Sequence, residues 1–217
     1  LIILAYVLCF SQFAYVRYLR FKFSQDAANF NHMLSRTVHG DFLPSYLYGG
    51  CHLADHASFF LLWLTPFYAL APTMRTLLFL QSASIGLSAV PFFLLARRAF
   101  RSDLPALAAV MAYLFHPGIV SQNLNQVHEV QFVVGLLLLA LYWFETERFR
   151  WFVAACVLAS FGKETVPFTV AAFSVLAFMR RRSLKWKLFP ALYAAGYLVV
   201  VVGLFIPWLW GGAYRHW

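Results

Sequence analysis

Charge is scarce in this chain. Of 217 residues, 12% are Asp, Glu, Lys or Arg, and only 8 are acidic. No stretch reads as a separate soluble domain. Cysteine is nearly absent: Cys9 and Cys156 sit in apolar segments and Cys51 in a polar loop, so no intrachain disulfide pair and no Cys-x-x-Cys metal site is apparent. Neither a Gly-x-x-x-x-Gly-Lys-Ser/Thr loop nor a Gly-x-Gly-x-x-Gly turn occurs, which removes the usual nucleotide cradles. The one His-Glu pair, His128-Glu129, has Phe132 where a zinc-binding His-Glu-x-x-His motif needs its second His. Gly86-Leu87-Ser88-Ala89 has the Gly-x-Ser of intramembrane serine proteases, but small residues in a packed membrane helix account for it better.

What the chain does have is apolar length. Hydrophobic residues make up 62%, with 24 Phe and 7 Trp, and runs of about 20 residues recur, each enough to cross a ~30 Å hydrocarbon layer as a helix. Leu136-Leu137-Leu138-Leu139-Ala140-Leu141 does not alternate apolar and polar residues as a barrel strand must. The fold class is therefore all-α, a polytopic transmembrane helical bundle. Apolar runs fall at 1–16, 76–96, 104–121, 131–144, 151–179 and 188–209, with a shorter one at 57–71. The chain opens at Leu1 already inside a run and reads as a fragment of a longer protein, residues 1–217 forming one transmembrane domain.

Basic residues orient the runs. The loops 97–103, 145–150 and 180–187 hold ten of the 17 Lys and Arg in 21 residues, and the positive-inside rule makes all three cytoplasmic. Topology thus explains most of the +9 charge, and no nucleic-acid partner is called for. The assignment requires segment 57–71, with Pro66 and Pro72, to lie along the outer surface within an extracytoplasmic loop spanning 17–75. It also requires 151–179, broken at Gly162-Lys163-Glu164-Thr165, to be two short helices meeting near the outer face; a single tilted crossing is the alternative. The working count is seven crossings.

This topology sends Asp26, Asp41, Asp55, Glu129 and Glu164 outside with all seven histidines, His116 included at the outer end of its helix. Such groups are costly in lipid and usually face a bundle interior or aqueous cavity, so a polar chamber at the outer surface is expected. The stretch 17–55, with Phe30, Tyr46, Tyr48, Gly49, His32, His39 and His52, suits a folded cap better than a flexible tether. Asp26 either carries chemistry or caps a helix from Ala27 to Ser35. His52 and His56, four apart with Asp55 beside the second, can hold a metal if His128 or Glu129 adds a third ligand, or else form a hydrogen-bonded cluster. The outer turn 123–131 offers amides, His128 and Glu129 either to a ligand or to water. Lys163 and Glu164 interrupt an apolar run, either as functional charges or as a mutual pair.

Asp26 in an early outer loop, a His before a surface segment, Leu78-Phe79-Leu80-Gln81, Phe92-Phe93-Leu94-Leu95-Ala96-Arg97-Arg98, Tyr113-Leu114-Phe115-His116-Pro117 and Gly162-Lys163-Glu164 together resemble a family of uncharacterised bacterial multi-pass membrane proteins. That family looks like a branch of the GT-C superfamily of membrane glycosyltransferases. The resemblance runs from Ser24 to about Thr165. It implies a GT-C-like bundle in the bacterial cytoplasmic membrane that passes a sugar from a polyprenyl-phosphate carrier to an acceptor at the outer face, generally with inversion. Asp26 matches the superfamily's first-loop acid by position. The second acid many members carry beside it is missing, since Gln25 precedes Asp26 and Ala27-Ala28 follow. His56 matches the His that opens the surface segment, although Ala57-Ser58 replaces the usual Pro.

Asp26 is then the catalytic base, with Arg20, Asp55, His56, His128, Glu129, Lys163 and Glu164 as substrate-binding candidates. Arg17, Arg20 and Lys22 stand at the water–lipid boundary, where a carrier phosphate or ordinary lipid headgroups would meet them. No organic cofactor is implied, and a divalent metal remains an option. The competing expectation is a transporter or flippase-like protein, whose polar groups belong near the midplane between repeats; this chain shows no internal repeat and keeps its polar groups at one face.

Overall fold

The computed structural model describes residues 1–45 and 50–210. Tyr46, Tyr48 and Gly49 of the expected cap and His216 lie outside the described residues. Among the described residues eleven α-helices follow one another: α1 Ile2–Leu19, α2 Gln25–Val38, α3 Phe60–Ala69, α4 Met74–Phe100, α5 Asp103–Leu114, α6 Pro117–Asn125, α7 Val134–Glu145, α8 Phe149–Ser160, α9 Val166–Met179, α10 Leu184–Tyr197 and α11 Ile206–Trp210. A π-helical stretch, Leu198–Phe205, joins α10 to α11. An isolated bridge between Pro44 and Cys51 is the only β pairing among the described residues.

Among the described residues three helical rods are long and apolar enough to cross a membrane: α1, α4 and Leu184–Leu209. A fourth forms if α5 and α6, bent by 44° at their junction, count as one span. Helices α7, α8 and α9 have 12, 12 and 14 residues, or roughly 18–21 Å at 1.5 Å per residue. At 10 residues, α3 reaches only about 15 Å and cannot cross.

Local chemistry sets the breaks. Thr73 starts α4 by accepting a hydrogen bond from Thr76 N at 3.3 Å, and Arg101 ends it in the left-handed region at φ 55°. Pro117 has no N–H to continue α5, so α6 restarts there with His116 Nδ1 accepting from Gly118 N at 3.1 Å. His116 is thus an exposed cap at a bend, which corrects its expected place at the outer end of a helix. The expected cap stretch 17–55 contains a full helix, α2, and not only loop.

Packing of α1 against α4 depends on Gly86, where a Cβ would stand 2.8 Å from Val7 Cγ2. A polar seam then ties both helices to α6. Gln81 Nε2 donates to the carbonyls of Asn123 and Gln126 at 3.2 and 3.0 Å. Ser82 Oγ donates to Asn123 Oδ1 at 3.0 Å, and Asn123 Nδ2 to Tyr6 OH at 3.2 Å. Buried amides need such partners, so these amides of the 123–131 turn are structural. Ser88 is likewise engaged, with Tyr113 OH at 2.7 Å.

The three basic loops meet at one end of the bundle. Arg98 Nη2 donates to the Glu145 carbonyl at 3.2 Å, Arg180 Nη2 lies 3.4 Å from Glu145 Oε1, and Arg182 pairs with Glu147. The turns 126–133 and 161–165 lie at the opposite ends of α7, α8 and α9. Cysteines placed at exposed Ser102 and Ser183 should therefore react with a membrane-impermeant maleimide only from the cytoplasmic side, and those at Gln25 and Ser121 only from outside. Outside labelling at Ser183 would reverse α10 and break this orientation.

Candidate functional site

The entry to α2 is built around Ser24, not Asp26. Ser24 Oγ accepts from Asp26 N at 3.1 Å and donates to Asp26 Oδ2 at 2.9 Å, making Ser24 the N-cap and Asp26 the second helical residue. The expectation that Asp26 caps a helix from Ala27 is corrected: Ser24 is the cap, and α2 begins two residues earlier, at Gln25. This turn is anchored from behind. Ser24 N donates to the Asn125 carbonyl at 2.8 Å, Arg17 Nε to the Leu124 carbonyl at 3.0 Å, and Arg17 also bonds Asn125 Oδ1.

Beside Asp26 lies a cavity of about 190 Å³ lined by Asp26, Asn29, Phe30, His52, His56, His128, Glu129 and Lys163. Four stretches of the chain supply it: α2, residues 52–56, the 128–129 turn and the α8–α9 break. Gly162 makes the convergence sterically feasible, since a Cβ there would meet Val133 Cγ2 at 2.6 Å and the Ala159 carbonyl at 3.2 Å. This close approach seats the α8–α9 break on the 129–133 turn and carries Lys163 to Glu129. Phe60 N donating to the Phe161 carbonyl at 2.8 Å, and Ala57 N to Glu164 Oε2 at 3.0 Å, fasten the start of α3 to the same break.

Glu129, 2% exposed, is the electrostatic centre. Its Oε1 accepts from Ser58 Oγ at 2.9 Å and faces His52 Nε2 at 3.3 Å, while Oε2 faces Lys163 Nζ at 3.7 Å. Burial alone would push this carboxyl up, but the His52 hydrogen bond and the Lys163 charge outweigh it and bring the pKa down to about 2. His56 lies between two acids, with Nδ1 3.0 Å from Glu164 Oε1 and Nε2 3.4 Å from Asp55 Oδ2. Burial works against its cation, yet the Glu164 hydrogen bond and the two carboxylate charges hold its pKa above the ordinary value. Glu164, opposed by burial in the same way, is drawn below the carboxylate range by His56.

Of the eight residues singled out from sequence, Asp26, His56, His128, Glu129 and Lys163 line the cavity. Asp55, fully buried, and Glu164 sit behind it against His56. Arg20 does not line it: Arg20 is exposed at the C-cap of α1, and Arg17 is taken up by the 124–125 carbonyl and amide. Lys163 and Glu164 do not pair with each other; they point to Glu129 and His56, because the break turns successive side chains to different walls.

Sequence reading left His52 out of the binding set, and with it Asn29, Phe30 and Ser58. The i,i+4 spacing of His52 and His56 was the available signal, but it pointed to a metal pair. A 3₁₀ turn at His52–Ala54 instead sets the rings 5.7 Å apart, edge to face, with Nε2 of each turned to a different carboxylate. Among the described residues no group of three or more His, Cys, Asp or Glu is placed to hold a metal ion.

No curated protein and no solved structure matches this chain. The family described as Predicted membrane protein (DUF2079) matches residues 22–216, a range that takes in α2, every cavity residue and all the later helices. This chain belongs to that membrane protein family.

Proposed function

We propose that the chain is the membrane part of a GT-C-like transferase that moves a sugar from a polyprenyl-phosphate carrier to an acceptor at the extracytoplasmic face of a bacterial cytoplasmic membrane. The observation that carries this reading is the gathering of Asp26, His56, His128 and Lys163 around one cavity, at the bundle end away from the basic loops. In this topology α7, α8 and α9 cross as short helices, giving seven crossings, and α2 and α3 lie at the outer surface.

An amphiphilic donor suits the surroundings. On the other side of the Ser24–Asp26 turn lies an apolar groove of about 440 Å³ lined by Tyr18, Leu19, Phe21, Phe23, Ser24, Gln25 and Ala28. Asp26 thus stands where a polar headgroup in the cavity and a prenyl tail in the groove would join. In the transfer, the acceptor oxygen bonds to the anomeric carbon as the carbon–oxygen bond to phosphate breaks. The electron pair leaves with the polyprenyl phosphate and the acceptor's proton passes to Asp26. Arg20 and Lys22, exposed beside the groove in sequence, are the cations available to the departing phosphate.

A transporter needs uncommitted polar groups near the midplane. In the middle of α4, Gln81 through its Nε2, Ser82, Ser84 and Ser88 are hydrogen-bonded to neighbouring elements, which favours the transferase. Reconstituted in liposomes with a radiolabelled polyprenyl-phosphate sugar and mixed sugar acceptors, the protein should release free polyprenyl phosphate in step with a glycosylated product. Movement of the intact donor between leaflets with no bond cleavage would decide for the transporter.

A further inference from the structure

At the opposite end from the polar cavity, α4, α5, α7 and α9 leave a groove of about 810 Å³, within the roughly 300–1,000 Å³ range of ligand pockets. Its walls are apolar, chiefly Phe92, Leu95, Leu138, Leu141 and Leu176, and its mouth carries Arg98, Arg180 and Glu145. We infer that this groove binds an anionic phospholipid of the cytoplasmic leaflet, with the headgroup phosphate between Arg98 and Arg180 and an acyl chain along the leucine wall.

Two features separate it from ordinary lipid-facing surface. The guanidinia come from different elements, Arg98 from the last turn of α4 and Arg180 from the C-cap of α9. Glu145 holds both in place, through its carbonyl to Arg98 at 3.2 Å and its carboxylate to Arg180 at 3.4 Å. One carboxylate against two guanidinia leaves a net positive mouth. Both arginines are exposed, so each retains donors for a phosphate, and paired guanidinium donors suit phosphate oxygens. The helix C-termini that converge here disfavour an anion. Against them stand ten Lys and Arg and only three acids in the loops at this end, and basic pockets between transmembrane helices on the cytoplasmic side are a recurrent form of anionic-lipid site.

The site is independent of the proposed transfer chemistry and is tested by binding alone. The detergent-purified protein is titrated with phosphatidylglycerol and with phosphatidylcholine of the same acyl chains, and bound lipid is counted by native mass spectrometry. The wild type should retain one phosphatidylglycerol in preference to phosphatidylcholine. Arg98→Gln with Arg180→Gln should weaken that binding roughly 25-fold, the juxtamembrane strength of two basic side chains. Arg150→Gln, exposed in the first turn of α8 but outside the groove, should leave it unchanged. Leu138→Trp should block it with the arginines intact. Far-ultraviolet circular dichroism and melting curves check that each variant is folded. Equal retention of the two lipids, or equal losses in the Arg150 variant and the double variant, would overturn the site.

Discussion

Replacing Asp26 with Asn is expected to lower sugar transfer on the order of 10²-fold or more while membrane insertion, folding and binding of the polyprenyl-phosphate sugar stay intact. Asn keeps the shape of the side chain and can still accept from Ser24 Oγ, the bond that Asp26 Oδ2 makes at 2.9 Å, but it cannot take the acceptor's proton. The helix-start role predicts something else. Ser24 supplies the cap, so Asp26 contributes to α2 only as a first-turn negative charge, worth about 0.3–1 kcal/mol. If that were all, Asn and Ala at position 26 would both shift the melting temperature slightly and leave transfer untouched. The measurement is initial rate and donor affinity of the purified variants side by side. Wild-type turnover in the Asn variant would remove Asp26 from the chemistry.

Lys163→Met should destabilise the fold by about 3 kcal/mol, the lower end of the cost of stranding a buried charge, because Lys163 is 21% exposed and water can partly replace it. Most of that loss should return in the double variant Lys163→Met with Glu129→Gln, where Gln can still accept from Ser58 Oγ and no charge is left alone. Glu129, held by the His52 hydrogen bond and then by the Lys163 charge, also predicts a pH dependence. The Glu129 carboxyl lies at about 2 in the fold against an ordinary value of 4.5. The folded protein therefore binds fewer protons than the unfolded one between these values. Its contribution is full above about pH 4.5 and is lost as pH falls towards 2, a few kcal/mol in total. Acid denaturation in detergent should show this component in the wild type and not in Glu129→Gln. If Lys163→Met leaves stability unchanged but abolishes donor binding, Lys163 serves the substrate and not Glu129.

Much of the frame was legible because lipid imposes a coarse code. Apolar length marked α1, α4 and the α10–α11 rod, and the basic loops marked the end where Arg98, Arg180 and Glu145 meet. The break at Gly162–Thr165 was visible as a polar interruption and indeed separates α8 from α9. The bend at His116–Pro117 was less so: apolar periodicity runs through it, and only the missing N–H of Pro117 stops the hydrogen-bond ladder. Helix α2 was misread by two residues at its start, since Ser24 and Asp26 are both good caps and the choice between them depends on how the Arg17 and Ser24 contacts fix the incoming chain.

Sequence by itself determined that this is a helical membrane protein, which end of the bundle is basic, and which residues are too polar for lipid to tolerate without a reason. Hydrophobic burial and the cost of charge in hydrocarbon act on residue type, so composition along the chain carries them. Tertiary structure alone decided how those polar residues pair. Glu129 takes Lys163 and His52 from 34 and 77 positions away, and His56 takes Glu164 from 108 positions away. Pairing depends on directions and distances of a few ångströms, and for Lys163 and Glu164 these arise where Gly162 lets the α8–α9 break close on Val133.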